Sequence, residues 1–372
     1  QPGGHLDGDA NLAASALREA TEETGIDGLR EAIEGHNYRY YVLDDPEILN
    51  PGDALVRITG TTICGSDLHI IGGHMVAETD FAIGHEWVGV ITAVGPGVTR
   101  FTPGQRVTGP PAPWCGTCDT CRRGHYQRCE RGGVYGSGPT MGNLGGAQSS
   151  ALRVPWADRD LVLIPDEVSD QDALAVCDVL CTGWCGVLKA DVHAGDTVVV
   201  LGCGPVGLSA VHAAKRLTAA RRVIAVDPVE SRRQLALQLG ADTVLAPDEH
   251  SARIINELTN GWGAESIVDA AGMQATLDMA IEVAAIGGNI AVLGIPSKPH
   301  QVDFMKLFMK NLTLWTGLGE LHLMNDMMRH VQDGVITPGV LFTHHATLEE
   351  LPDYYARMQQ GDLGIVKVFA TV

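Results

Sequence analysis

Four short apolar runs, separated by segments long enough for helices, constrain the fold of this chain most strongly. The runs occupy residues 197–201, 223–226, 267–269 and 289–293. Compact apolar runs of this kind are typical of parallel strands that are buried on both faces. Two intervening segments, residues 208–217 and 230–239, carry apolar residues at helical spacing. We therefore predict an α/β protein with a doubly wound parallel sheet.

A glycine-rich turn follows the first of these runs and precedes a helical segment. It consists of Gly202, Cys203, Gly204, Pro205, Val206 and Gly207. Glycines at the G-x-G-x-x-G spacing allow a tight turn, close backbone approach to a pyrophosphate and close packing of the helix. The pattern alone is weak evidence, but strand, turn and helix stand in the order that it requires. We predict a dinucleotide-binding site here.

The adenosine end of such a site needs an acidic residue about 20 positions after the turn. Asp227 stands there, at the end of the second apolar run. Its carboxylate would bind the ribose hydroxyls and repel a 2′-phosphate, so NAD is the expected cofactor. The neighbouring cations Arg232 and Arg233 keep NADP as the less favoured alternative.

Four cysteines lie close together in the first half of the chain. They form the pattern C-x2-C-x2-C-x7-C and are Cys115, Cys118, Cys121 and Cys129. Four thiolates at this spacing can surround one tetrahedral Zn²⁺ and leave no open position, which is typical of a structural site. Free or disulfide-bonded thiols are the alternative, but bridges between such close neighbours would be strained. The pattern predicts a structural zinc.

Two further segments combine metal ligands of different kinds. One reads C-G-S-D-L-H and runs from Cys64 to His69, and the other contains His85 and Glu86. A thiolate, an imidazole and a carboxylate suit a catalytic zinc, which usually has three protein ligands and one exchangeable position. A single buried histidine or cysteine is more often structural, so the residues alone leave both interpretations open.

Composition and charge exclude several classes of protein. A chain of 372 residues is long enough for two or three domains. Acidic residues outnumber basic ones by 45 to 26, so a nucleic-acid-binding protein is not expected. No apolar run approaches the roughly 18 residues of a membrane span, and we expect a cytoplasmic protein without a signal peptide. Salt adaptation and the codon bias of a GC-rich genome explain the acidic surface equally well.

From about residue 48 to the C-terminus, the chain resembles a zinc-dependent medium-chain alcohol dehydrogenase. The C-G-S-D-L-H and G-H-E segments, the four-cysteine loop, the segment D-V-L-C-T-G from Asp178 and the glycine turn occur in the order of that family. The resemblance implies an irregular, β-rich (GroES-like) catalytic domain of residues 50–179 and 318–372, and a Rossmann NAD-binding domain of residues 180–317. It also implies a homodimer or homotetramer, formed through an edge strand at residues 312–315.

The resemblance further implies which residues bind the catalytic zinc. They are Cys64, His85 and Asp178, with Glu86 adjacent and able to replace the bound water; Cys177 stays a less favoured ligand. Zinc would act as a Lewis acid, so that a hydride passes between a zinc-bound alkoxide and NAD. The expected substrate is an alcohol, or an aldehyde or ketone in reverse. A polyol or sugar dehydrogenase and a non-catalytic dinucleotide-binding protein are the alternatives.

Other positions correspond to the family's relay and cofactor contacts. Ser66 and His69 match a proton relay, and Thr182, Val206 and Leu293 match residues around the nicotinamide. Looser expectations concern a carboxamide contact at residues 315–317, a pyrophosphate contact of Lys367, and apolar cleft walls from Trp87, Trp114 and Leu318. Ordinary core packing explains each of these wall residues equally well.

Residues 1–49 do not resemble the start of that family. Residues 4–26 resemble a Nudix box, in which Glu19, Glu22 and Glu23 share one helix face. However, Ala10 replaces an earlier glutamate of that pattern and the rest of the fold is missing. A diphosphate hydrolase is therefore not expected.

The second part of this leader, residues 29–48, resembles the N-terminal segment of NAD-dependent DNA ligases, without their adenylation domain or catalytic lysine. We interpret residues 1–49 as an atypical leader segment without an enzymatic role. An edge strand is one role open to residues 38–43.

Overall fold

The computed structural model describes residues 46–72, 81–296 and 298–372. Within these residues the chain forms two β-sheets with helices around them. The strands are β1 (Ala54–Thr61), β2 (Trp87–Val94), β3 (Arg106–Thr108), β4 (Ala151–Val154), β5 (Val162–Leu163), β6 (Thr197–Leu201), β7 (Arg222–Val226), β8 (Thr243–Leu245), β9 (Ala264–Asp269), β10 (Ala284–Val292), β11 (Thr313–Thr316), β12 (Phe342–Thr347) and β13 (Lys367–Thr371).

The helices connect and cover these strands. They are α1 (Gly65–Ile71), α2 (Asp119–Arg122), α3 (Ala157–Asp160), α4 (Asp170–Cys177), α5 (Val179–Lys189), α6 (Pro205–Leu217), α7 (Glu230–Gln238), α8 (Ser251–Leu258), α9 (Gln274–Val283), α10 (Phe304–Lys310), α11 (Met324–Gln332) and α12 (Leu351–Gln359). Short 3-10 turns lie between several of them, including Tyr126–Arg128 and Leu321–Leu323.

The first sheet combines parallel and antiparallel pairs, and we call it the mixed sheet. Its strand order is β12-β13-β1-β2-β3-β5, and β4 also pairs with β1. β1 runs antiparallel to β2, β4 and β13, whereas β12 and β13 are parallel. The beginning and the end of the described chain therefore meet in one sheet, which confirms the irregular β-rich part of the predicted fold.

The second sheet is entirely parallel, and we call it the parallel sheet. Its order is β11-β10-β9-β6-β7-β8. From β6, the chain adds β7 and β8 on one side and then returns to add β9, β10 and β11 on the other side, so the strand order switches between β6 and β9. In doubly wound sheets, ligands bind at such a switch point, outside the carboxyl ends of the strands. This arrangement confirms the predicted Rossmann architecture. The four predicted apolar runs are all strands, and β11 is an edge strand as expected.

Helix positions agree with the sequence pattern to within a few residues. The segments predicted at 208–217 and 230–239 belong to α6 and α7. The largest difference between the predicted and the observed bounds concerns a strand: β10 begins at Ala284, and its register is irregular before Asn289. The leader and its edge strand at 38–43 lie outside the described residues. The domain boundaries predicted above stay a prediction, although the strands of the two sheets fall on either side of them.

Two helices meet at a bend close to the junction of the sheets. α4 and α5 are inclined by 49° to one another, and Asp178 lies at the break. Within the described residues no single helix is long and apolar enough to span a membrane, and this bent pair alone reaches that length and hydropathy together. α5 packs so closely on α6 that a Cβ atom at Gly183 would lie 2.6 Å from the backbone nitrogen of Ala210.

Candidate active site

The first group of site residues belongs to α1 and the residue before it. Cys64 is the N-cap of α1, and its backbone N–H donates to Asp67 Oδ2 over 2.9 Å. An acidic side chain in the first turn stabilises a helix in this way. Ser66 and His69 lie three residues apart on the same helix, which brings their side chains to one side of it. The helix therefore carries the candidate metal thiolate and the candidate relay together.

His85 and Glu86 come immediately before β2, where the chain enters the mixed sheet. Gly84 precedes them with a positive φ of 92°, and a Cβ atom there would lie 2.9 Å from the backbone nitrogen of Gln148. The backbone of Glu86 is held in place by the hydroxyl of Thr61, which donates to its carbonyl oxygen. At position 84, only glycine tolerates both the left-handed backbone and the close approach to the backbone of Gln148.

The third element is the break between α4 and α5. Asp178 occupies it, and the hydroxyl of Thr182 donates to Asp178 Oδ1 over 2.7 Å. Cys177, the less favoured ligand, points elsewhere: its thiol donates to the carbonyl oxygen of Gly109 over 2.9 Å. Burial raises the pKa of Cys177 far above its usual range. Asp178 is therefore the better candidate of the two.

These three elements bring four potential ligands together. One ligand atom from each of Cys64, His85, Glu86 and Asp178 lies within 4.8 Å of the others, and we call this group the mixed-ligand cluster. Sulfur, nitrogen and carboxylate oxygen are the donors that zinc prefers. In addition, Glu86 Oε2 is buried without a hydrogen-bond partner among the described residues. The donor set and the orphaned oxygen both fit a bound zinc ion.

The neighbours of His85 set its orientation and charge. Its Nδ1 lies 3.1 Å from Asp67 Oδ1, and its Nε2 faces Ser66 Oγ at 3.4 Å and Asp178 Oδ2 at 3.7 Å. Burial acts to lower the pKa of His85, but the charges of Asp67 and Cys64 raise it well above its ordinary value. A carboxylate behind the ligating ring is a common way to fix the ring and increase its basicity.

Lys367 contacts the same cluster, and here the structure differs from the sequence expectation. Its ammonium lies 2.8 Å from Glu86 Oε1, and both side chains are fully buried. Burial acts to lower the pKa of Lys367, but the charge of Glu86 raises it above its usual value. The expected pyrophosphate contact requires an exposed ammonium, whereas this one is enclosed as the partner of a candidate metal ligand.

The four predicted cysteines converge in a separate lobe, residues 112–134, which we call the four-cysteine lobe. Their sulfur atoms lie within 4.8 Å of one another. Backbone N–H groups point at the sulfurs: Cys118 donates to Cys115 over 3.3 Å, and Cys115 donates to Cys129 over 3.2 Å. Burial acts to raise the pKa of Cys115, but hydrogen bonds from Thr117 and Cys118 lower it to about 6. Such a site fits a structural zinc.

The glycine turn lies at the switch point of the parallel sheet. Gly202 has a φ of 91°, and a Cβ atom at Gly207 would lie 1.8 Å from the carbonyl oxygen of Gly202. Gly204, in contrast, has open space where a side chain would be, which leaves its backbone accessible to a ligand. Pro205 and Val206 begin α6, so the N-terminus of that helix follows the turn directly.

Asp227 lies at the carboxyl end of β7, as predicted, and it also stabilises the turn. Its Oδ2 accepts the backbone N–H of Cys203 over 2.7 Å. Arg233 donates to the backbone carbonyl of Asp227 and contacts Glu230. Arg232 reaches across to the mixed-sheet half, where it donates to the carbonyl oxygens at positions 363 and 365 over 3.2 Å. Its predicted role as a cofactor contact stays a prediction.

The remaining predicted positions have varied environments. Leu293 follows β10, is nearly buried, and donates its backbone N–H to the carbonyl of Asp269. Trp87 is completely buried in the core of the mixed sheet, so it is not a cleft wall. Trp114 is buried in the four-cysteine lobe, whereas Leu318 is 44% exposed and stays available as a wall residue.

Two contributions were missed by sequence reasoning. Asp67 stands inside the C-G-S-D-L-H segment, where its spacing of three from Cys64 is a capping signal, but nothing in the segment reveals its contact with His85. Lys367 is separated from Glu86 by 281 residues, and a lone lysine in a strand gives no sign of a distant carboxylate partner.

The geometry described here, a metal cluster in a mixed sheet beside a parallel sheet with a glycine turn, is that of a zinc-binding dehydrogenase. Residues 50–166 match the family described as alcohol dehydrogenase GroES-like domain, and residues 205–331 match the family described as zinc-binding dehydrogenase. The chain therefore belongs to the zinc-binding medium-chain alcohol dehydrogenase family, and its homologues are zinc-type alcohol dehydrogenases. The comparisons give no support for the Nudix and DNA ligase resemblances of the leader.

Individual relatives agree with this family over most of the chain. A probable zinc-binding alcohol dehydrogenase of Mycobacterium tuberculosis is 33% identical over 86% of this chain and 82% of its own length. The structure of alcohol dehydrogenase TADH from Thermus sp. ATN1 has a TM-score of 0.84 and 36% identity, covering 89% of this chain and 95% of that one. The rspB alcohol dehydrogenase from E. coli CFT073, solved with NADH, has a TM-score of 0.81 and 27% identity, covering 91% and 98%.

Proposed function

We propose that this enzyme oxidises an alcohol reversibly with NAD as the hydride acceptor. The observation that carries the proposal is the mixed-ligand cluster, in which Cys64, His85 and Asp178 are the expected zinc ligands beside the carboxylate of Glu86. Bound zinc supplies Lewis-acid activation of an alcohol or carbonyl oxygen. The complex of an E. coli relative with NADH supports the choice of a nicotinamide cofactor.

In this proposal the proton of the substrate hydroxyl leaves through α1. Ser66 Oγ, which lies 3.4 Å from the imidazole of His85, would accept this proton while its own hydroxyl proton moves on. His69, one turn further along α1 and half-buried, would pass the proton through the cofactor ribose to solvent. A hydroxyl that hands a proton to an imidazole is a common form of general base catalysis.

The cofactor would lie across the carboxyl edge of the parallel sheet. Backbone N–H groups of the glycine turn and the N-terminus of α6 bind the pyrophosphate. Thr182, Val206 and Leu293 would contact the nicotinamide, and the backbone near residues 315–317 would contact its carboxamide. Because Leu318 is exposed next to this segment, it is the best candidate for an apolar wall of the substrate cleft.

The environment of Asp227 favours NAD over NADP. With a cofactor bound, its carboxylate would repel a 2′-phosphate, and the two nearby cations already have other partners. Arg232 binds backbone carbonyls of the mixed-sheet half, and Arg233 binds Glu230 and the carbonyl of Asp227. Neither guanidinium is therefore free to neutralise an added phosphate.

The experiment that tests this proposal combines metal analysis with activity. Zinc per chain is measured on the purified protein, and NAD-coupled oxidation is followed with primary, secondary and polyol substrates. We expect zinc in both clusters and oxidation that a chelator abolishes. A chain that holds zinc in both clusters and oxidises none of these alcohols with either nicotinamide cofactor would contradict the proposed function.

We also propose that the chain is a homodimer or homotetramer assembled through β11 and α10. β11 lies at the edge of the parallel sheet, and α10 presents four large apolar side chains that are each at least 68% exposed: Phe304, Met305, Phe308 and Met309. Apolar surface of this kind is typical of a protein interface. Phe308→Glu should yield monomers in light scattering, whereas Leu237→Glu, on the exposed side of α7, should not.

A further inference from the structure

A short segment between β11 and α11 follows one face of α5. The residues of α5 on this face are spaced as successive turns of a helix: Asp178 at its N-cap, then Thr182, Cys185 and Lys189. Lys189 Nζ lies 2.5 Å from Glu320 Oε1. This ion pair attaches the segment to the helix that begins at a candidate zinc ligand.

The closest approach of this segment to α5 is at Gly319. A Cβ atom at Gly319 would lie 2.4 Å from Thr182 Oγ1 and 3.0 Å from Thr182 Cα and Cβ. The same hydroxyl of Thr182 donates to Asp178 Oδ1 over 2.7 Å. Gly319 therefore packs directly on the residue that orients a member of the mixed-ligand cluster.

The other end of the segment is anchored in the four-cysteine lobe. Leu321 is buried among Trp114 and three of the lobe cysteines. The ring of His322 meets the ring of Tyr126 edge-on, with 5.2 Å between their centroids, and Tyr126 lies 5.5 Å from Trp114. Aromatic pairs at these distances stabilise a contact beyond the area that they bury. The lobe thus determines where residues 319–322 lie.

We propose that Gly319 is a positioning residue through which the four-cysteine lobe supports the mixed-ligand cluster. The lobe fixes the position of Leu321 and His322, and this in turn places the backbone of Gly319 in contact with Thr182. The contact keeps the Thr182 hydroxyl in its hydrogen bond to Asp178. Residues that orient a metal ligand from behind typically change metal affinity or activity by about ten- to hundredfold. The inference rests on the proposed function only in taking the mixed-ligand cluster to be a zinc site.

The test measures how fast a chelator removes zinc from the fully loaded enzyme. Zinc release from two sites should occur in two kinetic phases. The phase that is missing in Cys64→Ser is assigned to the mixed-ligand cluster, and the other phase is assigned to the four-cysteine lobe. In Gly319→Ala the added methyl group displaces Thr182, so zinc should leave the cluster about ten- to hundredfold faster while the lobe phase stays unchanged. Gly52→Ala is the matched control, because a Cβ atom there meets nothing within 4 Å.

Two further variants examine the route. Leu321→Ala, which removes the apolar anchor in the lobe, should also accelerate zinc release from the mixed-ligand cluster. In a Thr182→Ala background, Gly319→Ala should add little, since both changes act on the same hydrogen bond. Circular dichroism confirms that each variant is folded.

Several results would overturn this inference. A folded Gly319→Ala enzyme that releases cluster zinc at the wild-type rate contradicts it, as does a Leu321→Ala enzyme in which only the lobe phase changes. Full additivity of Gly319→Ala and Thr182→Ala excludes the route through the hydroxyl. A wild-type chain that holds zinc in the lobe alone would overturn the proposed function as well, so the two failures can be told apart.

Discussion

The ammonium of Lys367 and the carboxylate of Glu86 form an ion pair of 2.8 Å from which solvent is completely excluded. Lys367 is the first residue of β13, and Glu86 directly precedes β2. One carboxylate oxygen of Glu86 binds the ammonium, and the other has no hydrogen-bond partner among the described residues. The pair therefore fixes Glu86 with one oxygen available to the mixed-ligand cluster.

Removing the ammonium alone should be costly. Lys367→Met leaves a buried carboxylate without its partner, and breaking a buried pair in this way typically costs about 3–5 kcal/mol of unfolding free energy. Urea unfolding of the metal-loaded protein measures this loss. The double variant Glu86→Gln/Lys367→Met removes both charges and should recover much of it. If the two single losses simply add in the double variant, the side chains do not act as a pair.

The choice between Asp178 and Cys177 as a zinc ligand can be tested directly. Asp178→Ala should lose the zinc of the mixed-ligand cluster and keep that of the lobe, as measured by metal analysis on the purified protein. Cys177→Ala should retain both, because this thiol is hydrogen-bonded to Gly109 instead. Loss of zinc in Cys177→Ala but not in Asp178→Ala would reverse the assignment. Binding of NAD to both variants serves as the control for folding.

Cofactor preference should depend on the charge of Asp227. Asp227→Asn keeps an oxygen that can accept the N–H of Cys203 but removes the charge that repels a 2′-phosphate. We expect the ratio of kcat/KM for NADP to that for NAD to rise about tenfold, which corresponds to about 1.4 kcal/mol. An unchanged ratio would show that another residue discriminates between the cofactors.

His212 should make the stability of the protein depend on pH. It is buried in α6, where Nδ1 faces the carbonyl of Leu239 at 3.1 Å and Nε2 accepts the backbone N–H of Thr337 at 3.1 Å. Only the neutral ring satisfies both bonds, and burial lowers its pKa. The unfolded chain then binds more protons, so the stabilisation is complete above about pH 6.5 and is lost as the pH falls below that value.

The measurement compares thermal unfolding at neutral and acidic pH. On acidification, the melting temperature of the wild-type protein should decrease more than that of His212→Gln, because glutamine cannot be protonated. His250→Gln is the matched control, because that ring is 58% exposed, and it should behave as the wild type does. Equal losses in the wild type and His212→Gln would show that other groups dominate the acid response.

Local patterns were sufficient to predict the parallel sheet and the four-cysteine zinc site, whereas the family resemblance was needed for the ligands of the mixed-ligand cluster. The strands around Val199 and Ile224 follow from short apolar runs, because a strand buried on both faces needs no polar alternation. The four cysteines and the glycine turn depend on spacing within one segment, so they are visible in the sequence. Asp178 was identified through the family resemblance, since nothing local distinguishes it from Cys177.

Contacts between distant segments could not be predicted in the same way. The approach of Gly319 to Thr182 and the pairing of Lys367 with Glu86 depend on how the two sheets and the lobe are placed together. Trp87 illustrates the same difficulty, because the sequence left it open between a cleft wall and core packing, whereas the structure buries it completely in the core of the mixed sheet.

The pairing of β1 with β13 also has a consequence for how the chain is made. The parallel sheet uses one continuous stretch, residues 197–316, and can form as soon as that stretch has left the ribosome. The mixed sheet cannot be completed until β13, which follows the whole parallel sheet in the chain, has been made, and until then Lys367 does not pair with Glu86. The nucleotide-binding sheet can therefore form before the mixed sheet is complete, and a chain that stops before β13 lacks the ammonium of Lys367 that pairs with Glu86.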